Sequence, residues 1–140
     1  MEIALSEEQP MAWRATWILG KSIKKNDSRL KEYVSDFINF LEGREDGHLR
    51  ELLKIIEKME VSEEEEGKLF DICISVWELI GKSPSVRITA FKILVKIAKK
   101  YPELAEELEF LTHNDYVETL SSGIKNSFEK LKRELLGKKK

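Results

Sequence analysis

A short phrase recurs along this chain at a nearly constant interval. Trp13-Arg14, Leu49-Arg50, Val86-Arg87 and Ile124-Lys125 each set an apolar residue before a base, and the bases stand 36, 37 and 38 residues apart. Each pair leads into an amphipathic run. A period in this range is one helical hairpin repeated, so the chain is expected to stack helix pairs, each burying its apolar side against its neighbours. Seven glycines and three prolines in 140 residues leave few breakers, and Leu, Ile, Lys and Glu are abundant. That combination favours helix throughout. No run alternates apolar and polar residues between turn signals, so no strand is predicted.

The runs and breakers predict about seven helices. Ser6, with Glu8 and Gln9 beyond it, has the form of an N-cap and first turn before a helix over Glu7–Lys25, with Trp13, Trp17 and Ile23 on its inner side. The turn cluster Asn26-Asp27-Ser28 separates it from Arg29–Glu42, where Leu30, Tyr33, Val34, Phe37, Ile38 and Leu41 keep the i, i+3, i+4 rhythm. A third helix covers His48–Met59. Ser62 then caps a fourth over Glu63–Ile80, whose four leading glutamates complement the positive end of the helix dipole. Only Asp71, Ser75 and Glu78 interrupt the apolar residues of this helix, so it is expected to pack on several sides, with Trp77 deeply buried.

Pro84 falls near the first position of a fifth helix, Ser85–Lys100. Pro102 opens a sixth, reaching to about Leu120, with His113-Asn114-Asp115 as the place where it can fray or bend. Ile124–Leu136 closes the chain as a lone helix with a polar outer side, as a terminal repeat requires. Length and continuity describe one domain over residues 1–140.

Charge narrows the function classes. The net charge is −2, and neither half is a charged arm: residues 1–60 hold 10 basic and 12 acidic side chains, residues 61–140 hold 14 of each. Nucleic-acid binders usually carry a basic excess, so the balance weighs against that class. The N-terminal MEIALSEEQP lacks the basic and apolar regions of a signal peptide, and no apolar stretch approaches the ~20 residues that span a bilayer. A cytoplasmic location away from membranes is expected.

No catalytic or metal-binding constellation is found. His48 and His113 lie at predicted helix ends, where a structural or solvent role is expected, and no His-x-x-x-His, Cys-x-x-Cys or Glu-x-x-His spacing occurs. There is no Gly-rich phosphate loop and no Gly-x-Ser-x-Gly. Cys73 is the single cysteine and sits in an apolar run, so it reads as an inert core residue. No enzymatic activity, cofactor or metal is predicted.

The stretch Val86 to Leu94, Val-Arg followed by Ala-Phe-x-Ile-Leu, resembles the first helix of HEAT and armadillo-like repeats. A tetratricopeptide array has a shorter period, and its Gly and Tyr positions after the tryptophan have no match here. A wider likeness covers most of the chain. Met11 to Leu19, Glu63 to Trp77, Lys99 to Leu108 and the Ser-Gly-Ile-Lys at Ser122 to Lys125 are similar to a family of small bacterial HEAT-like proteins. The resemblance implies an all-α, right-handed α-α superhelix. It implies no activity, because that family has none established. Some members bear an adenylosuccinate lyase label by automated transfer. The Gly- and Ser-rich signature loop of that lyase has no counterpart in the chain, which is also too short for the lyase fold. HEAT repeats often pair the repeat's arginine with an acid in a ladder between hairpins. Six residues before Arg14, Arg50 and Arg87 stand Glu8, Arg44 and Gly81, so only the first has a carboxylate in that register.

The charges divide by helix type. The first helices of the hairpins carry Lys21, Lys24 and Lys25, then Lys54 and Lys58, then Lys92, Lys96, Lys99 and Lys100, with Glu51 and Glu57 diluting the stripe. The second helices carry Glu32 and Asp36, then Asp71 and Glu78, then Glu106, Glu107 and Glu109. In a right-handed superhelix second helices line the concave side. An acidic concave face built on Glu32, Asp36, Asp71, Ser75 and Glu78 is therefore expected to accept a protein or basic peptide. The alternative is nucleic-acid binding through the first-helix lysines. Trp13 and Trp17, one turn apart, are expected to pack inward rather than anchor a partner.

Overall fold

The structure is a computed structural model that describes residues 28–137. The helix predicted over Glu7–Lys25, with Trp13, Trp17 and the first lysine group, lies outside the described residues, as does the Lys138–Lys140 tail. The described residues are all-helical. A 3-10 helix, Ser28–Tyr33, runs into α1 (Val34–Asn39). There follow α2 (Asp46–Glu57), α3 (Glu63–Glu78), α4 (Pro84–Ala98) and α5 (Pro102–Glu109). A 3-10 turn, Phe110–Thr112, leads to a short α6 (Asn114–Val117), and α7 (Ser122–Gly137) closes the series. These residues fall into two compact units divided between Leu69 and Phe70, within α3.

In the first unit the helix predicted over Arg29–Glu42 is part 3-10 and shorter. After Asn39 the chain tightens: Phe40 N–H is shared between the carbonyls of Asp36 (3.0 Å) and Phe37 (3.2 Å), and Leu41 N–H donates to that of Ile38 (3.3 Å). Such i to i−3 bonds satisfy carbonyls that a helix end would otherwise leave unpaired. Gly43, at φ 77°, then turns the chain in a region that side chains disfavour. Phe37, Ile38 and Leu41 pack with the apolar side of α2, where Leu52, Leu53 and Ile55 have no exposure. Ser62 caps α3 as expected, accepting from the Glu65 N–H at 3.4 Å.

The second unit is built on an aromatic cluster. Trp77 of α3 lies 4.7 Å from Phe91 of α4 and stacks on Phe128 of α7 at 5.5 Å, and the two phenylalanines are 5.1 Å apart. Trp77 has no exposure, as the sequence predicts. Ser83 caps α4 through the Val86 N–H, and Pro84 takes the first helical turn. The apolar residues of α4 face its neighbours nearly all round, and it packs chiefly against α5 and α7.

Two expectations need correction. The helix predicted to Ile80 ends at Glu78, leaving Leu79 and Ile80 exposed beyond it, with Ile72 and Ile74 half-buried. The helix predicted over Pro102–Leu120 breaks after Glu109. There the Thr112 hydroxyl donates back to the Glu109 carbonyl (2.6 Å), and His113 is extended with ψ 150°. Short polar side chains that bond the local backbone compete with helix in this way.

Candidate functional site

Side-chain donors of Arg87 and Trp77 take up backbone carbonyls near both breaks. Trp77 and Leu111 each stand one residue before the end of their helical segments, with carbonyls that a longer helix would keep in its ladder. Instead the Trp77 carbonyl accepts from Arg87 Nε at 2.9 Å, and the Leu111 carbonyl from Trp77 Nε1 at 2.8 Å. Asp115 N–H, the donor Leu111 would have used in a continuous helix, goes to His113 Nδ1. Arg87 Nη2 donates to the Tyr116 carbonyl at 2.6 Å and Nη1 to the Thr119 hydroxyl at 3.3 Å. Its Cζ stands 4.6 Å from the Trp77 ring centroid. Arg87 has no solvent exposure, and desolvation lowers its pKa from the ordinary value. A cation among C-terminal helix carbonyls is favoured by their partial negative charge.

The repeated arginine thus works without a carboxylate at this position. Arg50 differs: its Nη2 meets the buried Glu51 at 3.0 Å, which also faces Lys54 at 3.7 Å. Neither arginine uses an acid six residues upstream.

The five residues proposed for binding are all exposed. Asp71, Ser75 and Glu78 lie on α3 at i, i+4 and i+7, so they form one solvent stripe. Glu32 and Asp36 stand a helical turn apart on the 3-10 helix and α1 in the first unit. Close by, a cleft of about 450 Å3 is lined by Lys31, Val34, Ser35, Glu60, Val61, Ser62 and Glu65. Ser35 Oγ donates to Glu65 Oε1 at 2.9 Å and Lys68 Nζ to Asn39 Oδ1. None of the five residues lines this cleft.

On the basic side, Lys54 pairs with Glu51 and Lys99 with Glu134 at 3.7 Å, and Lys58, Lys92, Lys96 and Lys100 are not free either. His48 is buried edge-on to Phe40, and His113 is exposed beside Asp115 at 3.6 Å. Cys73 is fully buried, which pushes its thiol far above the ordinary range. Among the described residues no group of three His, Cys, Asp or Glu could hold a metal ion, and no helix is long and apolar enough to cross a membrane.

Phe110 was not singled out by sequence, yet it is 81% exposed. Its apolar character fits the period of a helix that runs on, and only the break after Glu109 shows it to face solvent.

Neither curated proteins nor solved structures provide a match to the chain. A family model for the HEAT repeat domain matches residues 2–135. With the helical units and the recurring apolar-base phrase, that match over nearly the whole length settles the family: the chain belongs to the HEAT repeat domain family.

Proposed function

We propose that this chain is a non-catalytic scaffold that binds a basic protein or peptide through the acidic residues of its second helices, Glu32, Asp36, Asp71, Ser75 and Glu78. The observation that carries the reading is the exposed stripe Asp71, Ser75, Glu78 on α3, where a helix otherwise rich in apolar residues turns carboxylates and a hydroxyl to solvent. HEAT repeats generally serve as protein-interaction scaffolds, which supports the class. Clustered charge of one sign steers oppositely charged partners and loses its effect as salt rises. Binding of nucleic acid through the first-helix lysines is the weaker reading, because Lys54 and Lys99 are engaged by carboxylates.

The test is a titration of the full chain with a lysine-rich peptide at rising ionic strength. Weak, salt-sensitive binding is expected in the unaltered protein. Asp36→Lys and Asp71→Lys each weaken it, and the double reversal weakens it most and removes the peptide's amide shifts around residues 36 and 71, while the circular dichroism stays helical. Duplex DNA does not compete for the site. Unchanged peptide affinity in the double reversal overturns the reading.

A further inference from the structure

The solvent side of α5 carries a feature distinct from the acidic stripe on α3. Ala105 and Leu108 are the buried residues of this helix. On the other side Glu103, Glu106 and Glu107 are exposed, and the helical trace continues through Phe110 at φ −62° and ψ −25°. Glu106 and Glu107 precede Phe110 by four and three residues, and Glu103 precedes them by three and four. Side chains so spaced are neighbours on a helix surface. The stripe therefore sets an aromatic ring, 81% exposed, at the end of a row of carboxylates. No lysine or arginine occurs from Tyr101 to Leu120, and the acids Asp115 and Glu118 follow on the same segment. No hydrogen bond or ion pair engages the carboxylates of Glu103, Glu106 or Glu107 among the described residues. The ring also stands at the C-terminal end of the helix, where the backbone dipole is negative.

A single exposed apolar residue is ordinary. Here the surroundings select what would cover it. Carboxylates and a helix C-terminus repel phosphate and acidic surfaces and attract a cation. An aromatic face prefers a planar, weakly hydrated cation, which is guanidinium rather than ammonium. Among the described residues the chain makes this contact internally: Arg44 stands 4.3 Å over the Phe40 ring and Arg87 4.6 Å over that of Trp77. Phe110 offers the same ring chemistry outward, with carboxylates one turn away to receive the N–H groups.

We infer that the Glu103–Phe110 stripe docks an arginine-bearing segment of a partner protein, one guanidinium stacking on Phe110 and donating to Glu106 or Glu107. This surface involves none of Glu32, Asp36, Asp71, Ser75 or Glu78 and does not depend on them.

The experiment compares an alternating Arg-Gly peptide with a Lys-Gly peptide of equal length, each titrated into the full chain. Binding is followed by amide chemical shifts. The arginine peptide is expected to bind more tightly, with shifts centred on residues 103–111. Phe110→Leu keeps the apolar bulk but removes the ring. It is expected to weaken the arginine peptide about two- to fivefold and to erase its advantage over lysine. Phe110→Tyr retains both. Glu106→Gln with Glu107→Gln weakens both peptides and flattens their salt dependence. Asp36→Lys with Asp71→Lys leaves the shifts at 103–111 in place. Equal affinity for the two peptides overturns the inference, as does an unaffected Phe110→Leu variant or tighter binding of a single-stranded oligonucleotide at these residues. Loss of arginine-peptide binding in the Asp36/Asp71 variant alone overturns it too and leaves the α3 reading standing. Loss in the Phe110 variant alone does the reverse.

Discussion

Arg87 holds together chain ends that helix geometry leaves unfinished. Its acceptors are two carbonyls and a hydroxyl, and its guanidinium lies over the Trp77 ring. Arg87→Met fills similar volume but strands the Trp77 and Tyr116 carbonyls. A buried acceptor left unpaired costs ~1–3 kcal/mol; the Trp77 carbonyl is buried and that of Tyr116 partly so, and a loss of about 2–4 kcal/mol is expected in chemical denaturation. Arg87→Lys keeps the charge and loses the fork of donors, and is expected to recover only part of that. A loss below about 1 kcal/mol for Arg87→Met would show that the carbonyls find other donors. Trp77→Ala removes a fully buried ring from the cluster with Phe91 and Phe128 and the donor to Leu111. Truncations of this kind cost ~3–5 kcal/mol, a large share of a small domain's stability.

Among the elements, α4 shows how a local signal and a tertiary demand combine. Ser83 and Pro84 start the helix through a side-chain cap and a preset φ. Ser83→Ala is expected to cost ~1 kcal/mol, read as a shifted denaturation midpoint with an unchanged slope. Such signals were legible in the sequence, which is why α2, α3 and α4 start and end within two residues of their predicted bounds. The stretch from Pro102 to Leu120 was legible only in part: the bend falls at His113, where the sequence allowed it, but the end of the α-helix at Glu109 was not foreseen. Its apolar residues keep a helical rhythm, and beside the break the Leu111 carbonyl is taken by Trp77, which lies far away in sequence. The 3-10 character of Ser28–Tyr33 was hidden for a simpler reason: periods of 3.0 and 3.6 residues diverge too little over six positions. The solvent stripe on α3 was readable because polar residues interrupt an apolar run, whereas Phe110 matched the run it leaves.

For the molecule as a whole, the helical described residues and the HEAT repeat match lead to a far-ultraviolet circular dichroism spectrum dominated by helix, with negligible strand. A substantial strand component would contradict the fold. One buried atom offers a finer readout. Cys73 sits one turn before Trp77 on α3, without solvent access, and burial holds its thiol protonated. Only the thiolate reacts, so a disulfide reagent must wait for the surrounding structure to open. The labelling rate then equals the intrinsic thiol rate scaled by the fraction of time that α3 is open. Trp77→Ala is expected to raise that rate by ~100-fold or more, since a loss of ~3 kcal/mol multiplies the open population by about that factor. The lone cysteine thus makes the chain its own stopwatch, timing how often its interior meets water.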